Sequence, residues 1–92
     1  MPQVRLTGHV DVPADAWSDV LDALPDHVAL TLAEPGCLRF EVTPDPGQPH
    51  RLQVREAFRD RAAYLAHQKR SRASRWGKLT RGFPRSYQIT GA

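Results

Sequence analysis

The stretch "AEPGCLRFEV", Ala33–Val42, decides how the chain folds. Pro35 disfavours a helical backbone at Glu34, and Gly36 accepts the left-handed turn that ends a helix. Apolar and charged residues alternate from there. Leu38, Phe40 and Val42 fall on one face, and Cys37, Arg39 and Glu41 on the other, which predicts a strand over about residues 37–43. A helix stop feeding directly into a half-buried strand marks an α-to-β joint, and the rest of the chain is legible outward from it.

Upstream, residues 13–33 read as helix. Pro13 suits a first helical position, and Trp17, Val20, Leu21, Leu24 and Val28 form one apolar stripe. Pro25 lacks an N–H and crowds the preceding turn, so the sequence predicts two helical pieces that break at Leu24–Pro25. Before the helix, residues 3–10 alternate as a strand with Val4, Leu6 and Val10 on one face, Gly8 interrupting and His9 opposite.

Downstream, "TPDPGQPH" is a turn. A strand over about residues 51–58 places Leu52, Val54, Glu56 and Phe58 on one face and Gln53, Arg55 and Ala57 on the other. Asp60 is an N-cap for a second helix over about residues 60–76. Its expected buried stripe is Ala62, Leu65, Ala66, Ala73 and Trp76, beside a second stripe of Tyr64, His67, Ser71 and Ser74, and Gly77 or Gly82 ends it. "FPRSYQIT" reads as the last strand, with Pro84 pointing to an edge or an irregular entry.

The order β-α-β-β-α-β is the ferredoxin-like arrangement of α+β proteins, in one domain spanning residues 1–92. Two helices cover one sheet face. Nothing in the chain covers the other, so a second copy is its expected cover, giving a homodimer.

Composition narrows the functional classes. No run approaches the ~20 apolar residues of a membrane helix, and "MPQVRLTGHV" lacks the basic start and apolar core of a signal peptide. Cys37 is the only cysteine, so no intrachain disulfide forms and a cytoplasmic setting is expected. All acidic residues lie at or before Asp60, whereas Arg61, Lys69, Arg70, Arg72, Arg75, Lys78, Arg81 and Arg85 follow it. Such a block attracts anions, although a solvated helix face has the same composition.

Taken together, "AEPGCLRFEV", the "DP" turn and "REAFRDRAAYLAHQ", extended by "WGKLTRGFPRSYQIT", resemble the antibiotic biosynthesis monooxygenase family of dimeric α+β barrels. The resemblance covers nearly the whole chain. It implies a homodimer with a pocket between sheet and helices in each monomer, and oxidation of quinols, anthrones or other electron-rich phenols by dioxygen without cofactor. In such chemistry the protein binds the phenol, removes its proton and shields the radical pair from water.

On that resemblance His67 is the candidate base, since a histidine near neutrality can take a phenolic proton. Phe58, Trp76 and Phe40 are candidate pocket walls; core packing gives the same pattern. Tyr64 is a candidate hydrogen-bond donor to substrate, as is Tyr87. Arg55 or Arg39 could hold a phenolate or carboxylate, although pairing of Glu41 and Glu56 with these arginines across the two central strands is the simpler expectation. His9 is a candidate polar pocket residue. Some relatives degrade haem, but Phe58 stands where that branch carries tryptophan, and Gln68 where it carries the iron ligand. His9, His27, His50 and His67 form no HxH or HxxxH pair, so no metal site is expected, and no glycine-rich phosphate loop is present. Cys37 reads as a core thiol and not a nucleophile. The alternative to a monooxygenase is a non-catalytic, ligand-binding or stress-related dimeric barrel. Nucleic-acid binding through the basic half ranks last, because it has no recognised motif.

Overall fold

A computed structural model describes residues 2–92. The elements are β1 (Val4–Asp11), a 3-10 turn (Ala14–Ala16), α1 (Trp17–Leu32), β2 (Cys37–Pro44), β3 (Arg51–Phe58), α2 (Arg61–Ala73), α3 (Arg75–Thr80) and β4 (Arg85–Thr90). The four strands form one antiparallel sheet in the order β2-β3-β1-β4. This is the predicted ferredoxin-like α+β architecture, with the helices on one sheet face.

The core lies between that face and the helices. Leu6 and Val10 of β1, Phe40 and Val42 of β2 and Leu52 and Val54 of β3 bury against Val20 of α1. Register fixes the facing of every other strand residue. In β3, Leu52, Val54, Glu56 and Phe58 point inward, as the alternation predicts. Arg85 and Tyr87 of β4 pair with Val10 and Gly8 and share their inner face. His9, Arg55 and Arg39 sit on the outer one.

Four expectations are corrected. First, α1 does not break at Pro25. Pro25 and Leu21, whose carbonyl loses its partner, both lie on the exposed side. The buried residues Val20, Ala23, His27 and Thr31 pin the helix on either side of that gap. Second, Leu38 does not share a face with Phe40 and Val42. A register shift between Cys37 and Arg39 inserts Leu38 as an extra residue, which is 53% exposed, and brings Cys37 against the core. Third, α2 buries Ala63 and His67, with Tyr64 half-buried, whereas Ala62, Leu65, Ala66 and Ala73 are exposed. The polar-looking stripe is the inward one, because it is the face that meets Phe58 and Glu56. Fourth, the second long helix ends at Ala73 and Trp76 belongs to α3. Ser74 makes the joint: its hydroxyl donates to the Ser71 carbonyl at 2.7 Å and accepts the Gly77 N–H at 3.2 Å.

The turn chemistry follows the sequence. Gly36 has φ +85°, as a left-handed helix stop requires, and Asp60 accepts the Ala63 N–H at 2.9 Å. Gly8 has φ +154°, and a Cβ there would lie 2.0 Å from the Ser86 carbonyl oxygen and 2.8 Å from Tyr87 Cδ1. The β1–β4 pairing therefore depends on its missing side chain. Gly8→Ala is expected to cost about 2–3 kcal/mol through overpacking and backbone strain. Urea denaturation at matched protein concentration measures this, and a loss below ~0.5 kcal/mol would contradict the account.

Candidate active site

Beneath the sheet's inner face lies a cavity of about 280 Å³, walled by residues from β1, β3, α1, α2, α3 and β4, among them Leu6, Glu56, His27, His67, Trp76 and Tyr87. His67 is 3% exposed. Its ring packs at centroid distances of 4.9 Å from Phe58 and 5.6 Å from Phe40. The position arises from the α2 spacing, since Ala63, one turn earlier, lets the helix approach the sheet closely enough to bury the imidazole.

A chain of polar contacts fixes that ring. His67 Nδ1 lies 3.0 Å from Glu34 Oε1. A carboxylate only accepts, so this contact assigns the ring proton to Nδ1 and leaves the Nε2 lone pair free. Nε2 lies 3.7 Å from Glu56 Oε1, too far for a hydrogen bond. Glu34 is held in turn by Arg70, whose Nε donates to its other oxygen and whose terminal nitrogen donates to Thr31 Oγ1 at 2.9 Å. Thr31 donates to the His27 carbonyl at 2.7 Å. Glu34, Thr31 and Arg70 thus act as a brace between the end of α1 and α2.

Two buried polar atoms, Glu56 Oε1 and His27 Nδ1, have no hydrogen-bond partner, and both residues line the cavity. Such orphans cost ~1–3 kcal/mol each unless water or a ligand satisfies them. Burial, with Glu34 adding like-charge repulsion, raises the Glu56 carboxyl to about 7. Burial, aided by the positive charges on His67 and Arg70, lowers His27 to about 3, so it is neutral near pH 7. His27 also stacks on Trp76 at 4.7 Å with the rings 5° from parallel. Burial lowers His67 as well, against the opposing pull of Glu34, which keeps the imidazole a neutral base near pH 7.

The raised Glu56 gives a stability prediction with a definite sign. Between its ordinary 4.5 and about 7 the native state holds a proton that the unfolded chain releases. Stability therefore falls as pH rises through that window and stays lower above it. The other charged and titratable side chains around Glu56 and the cavity, His67, His27, Glu34, Arg72, Arg81, Arg85 and Tyr87, are the same in both proteins compared. Glu56→Gln should be more stable than the parent by ~1–3 kcal/mol above pH 7 and closely matched to it near pH 4. Urea midpoints across this range measure the difference, and parallel curves would contradict the assignment.

The residues singled out from sequence divide by position. His67 and Trp76 line the cavity, Phe40 lines a smaller pocket beside it, and Phe58 packs on the His67 ring without lining either. Tyr64 stands behind Phe58, 5.9 Å from it between ring centroids, and not in the cavity wall. Arg55 and His9 lie on the outer sheet face; Arg55 lines a separate groove there with Arg5 and Leu38. Glu41 lies opposite Arg55 in the register, but its ion pair is with Arg39 of its own strand, at 2.5 Å, and not across the strands. Glu56 does not pair with an arginine: it points inward and is only 9% exposed at its side chain. Sequence reasoning missed Glu34, Glu56, His27 and Arg70. The signal for Glu56 was present, a carboxylate in phase with Leu52, Val54 and Phe58. His27 likewise falls in phase with Val20 and Ala23.

Comparison with known proteins agrees with the fold. Similar folds include a Nitrosomonas europaea protein named after the antibiotic biosynthesis monooxygenases (TM-score 0.83, 22% identity, covering 98% of this chain and 89% of that one). A further structure named antibiotic biosynthesis monooxygenase matches with TM-score 0.82 and 22% identity over 97% of both chains. Rv0793 from Mycobacterium tuberculosis matches with TM-score 0.77 and 22% identity, over 99% of this chain and 95% of that one. At these identities the likeness is one of fold. No curated protein sequence matches. The family model for antibiotic biosynthesis monooxygenase matches residues 4–79, a span holding every strand except β4 and the whole Glu34–His67–Glu56 arrangement, and the chain belongs to that family.

Proposed function

We propose that this protein is a cofactor-independent monooxygenase that oxidises an electron-rich phenol, quinol or anthrone with dioxygen. One observation carries the reading: His67, braced through Nδ1 and neutral near pH 7, offers Nε2 in an aromatic cavity that also holds two unpartnered buried polar atoms. The phenolic proton moves to Nε2, and Glu34 stabilises the imidazolium that forms. The phenolate gives one electron to dioxygen, and the resulting radicals combine at a ring carbon. The peroxide then loses water, so one oxygen atom enters the quinone and the other leaves as water, with both hydrogens supplied by the substrate. Phe58, Phe40 and Trp76 exclude bulk water from the radical pair. Tyr64 packs on Phe58 behind the His67 ring, and Tyr87 lines the cavity opposite the helices.

The outer sheet face, carrying His9, Arg55 and the exposed Leu38, is the surface for a second copy, which makes the working unit a homodimer. On this reading His9 and Arg55 contribute to assembly or to a pocket completed by the partner. Among the described residues, no helix is long and apolar enough to cross a membrane. The lone free thiol suits a reducing compartment, so the cytoplasm is the inferred location. Anthrone and hydroquinone incubated in air with the purified protein test the activity. Quinone formation well above the rate in buffer is expected, and a rate equal to buffer for both would instead favour a binding protein without catalysis.

A further inference from the structure

We propose that the cavity selects aromatic substrates bearing a carboxylate, held at its mouth by Arg72, Arg81 and Arg85. That the bound molecule is then oxidised rests on the function proposed above; the anion selectivity does not. These three guanidinium groups come from three places in the fold: the last turn of α2, the turn after α3 and the first residue of β4. All three line the cavity and are exposed, whereas His67 and Glu56 form its buried end. The cavity is thus cationic outside and holds its base inside.

Pairing and position together single out these arginines. Arg39, Arg51, Arg59, Arg70 and Arg75 each contact a carboxylate. Among the described residues, Arg72, Arg81 and Arg85 have no carboxylate partner. Arg5, Arg55 and Arg61 also lack one among these residues, but none of them lines the cavity. Arg85 is also oriented: its Nε donates to the Phe83 carbonyl at 3.2 Å and one terminal nitrogen donates to the Thr80 carbonyl. A guanidinium tethered by carbonyls, with donors to spare, loses little freedom when it takes a carboxylate. Among the described residues the only acid in the cavity wall is Glu56, at the far end, and its carboxyl, raised to about 7, is half protonated at neutrality and mostly protonated below it, so it repels an entering anion less than an ordinary carboxylate would. At about 280 Å³ the cavity is at the small end of ligand pockets, which fits a compact fused-ring aromatic with a single anionic group.

Binding of 2-naphthoate and its neutral isostere 2-naphthamide, by titration calorimetry on the full chain, tests this. The naphthoate should bind about tenfold more tightly or better, and its advantage should shrink as salt rises. Arg72→Ala/Arg81→Ala, at exposed positions where folding is not at stake, should reduce the ratio, and Arg85→Gln should reduce it further. Equal affinities, a ratio unchanged in both variants, or no binding of either compound would overturn the inference. A naphthoate preference in a protein that leaves anthrone unoxidised would instead overturn the monooxygenase reading alone. Anthrone oxidation without naphthoate preference would do the reverse.

Discussion

His67→Gln should lower kcat/KM for anthrone by about 10²–10⁴-fold while leaving the fold intact. The magnitude is that of removing one positioned general base. Glutamine keeps a polar side chain that can still meet Glu34 but has no basic nitrogen, so the loss should fall mainly on kcat and not on KM. The residue is 3% exposed and packed on Phe58 and Phe40, so folding must be checked alongside. Far-UV circular dichroism and the urea midpoint serve that purpose. The pH dependence supplies a second readout. In the parent protein the rate should rise with pH as the imidazole loses its proton, on a limb below the usual histidine range because burial lowers His67. That limb should be missing from the residual activity of His67→Gln. A variant retaining full kcat would remove His67 from the mechanism.

Glu34→Ala should produce the largest loss of stability, about 3 kcal/mol. The carboxylate is the shared acceptor of His67 and Arg70, and its side chain is only 14% exposed. Truncation leaves the Arg70 guanidinium with Thr31 alone and frees the His67 ring to rotate. Much of the cost is the unpaired charge and not the contact itself. Arg70 keeps some access to solvent, which places the value at the low end for a broken buried pair. Activity should fall as well, because the brace that assigns the His67 proton to Nδ1 is gone. The double variant Glu34→Ala/Arg70→Met should recover part of the stability, since no uncompensated cation remains, but not the activity. Urea denaturation and anthrone turnover on the parent and the two variants measure both. Equal stability of the two variants would show that the buried cation is not the source of the loss.

The strands, their order and the helix stop at Pro35–Gly36 were legible because each rests on a local rule: period-two alternation, a left-handed glycine, an N-capping aspartate. The errors arose where a nonlocal contact overrode the local rule. Pro25 is tolerated because the carbonyl it orphans faces solvent while the opposite side of α1 is anchored. Leu38 turned outward through one inserted residue, which no alternation rule anticipates. Hydrophobicity misassigned α2, whose inward face carries His67 where a pure core helix would carry leucine, while Leu65 is left exposed.

The site was half legible for the same reason. His67 and its aromatic neighbours could be singled out one at a time, but a carboxylate–histidine brace joins Glu34, from the loop after α1, to a helix more than thirty positions away, with |i−j| of 33. Spacing along the chain does not carry that pairing. Glu56 was assigned an arginine partner because charged residues on adjacent strands usually pair at the surface. Its inward phase with Leu52 and Val54 outweighs that habit.

The most direct test of the central claim is a turnover of anthrone under oxygen-18 gas by chelator-treated protein, followed by mass spectrometry of the product and measurement of dioxygen consumed. One labelled oxygen atom is expected in each quinone, with one dioxygen consumed per quinone formed, no need for added metal or flavin, and a rate at least about 10²-fold lower in His67→Gln. Unlabelled quinone, a requirement for an added cofactor, or consumption no faster than in the His67→Gln variant would contradict it.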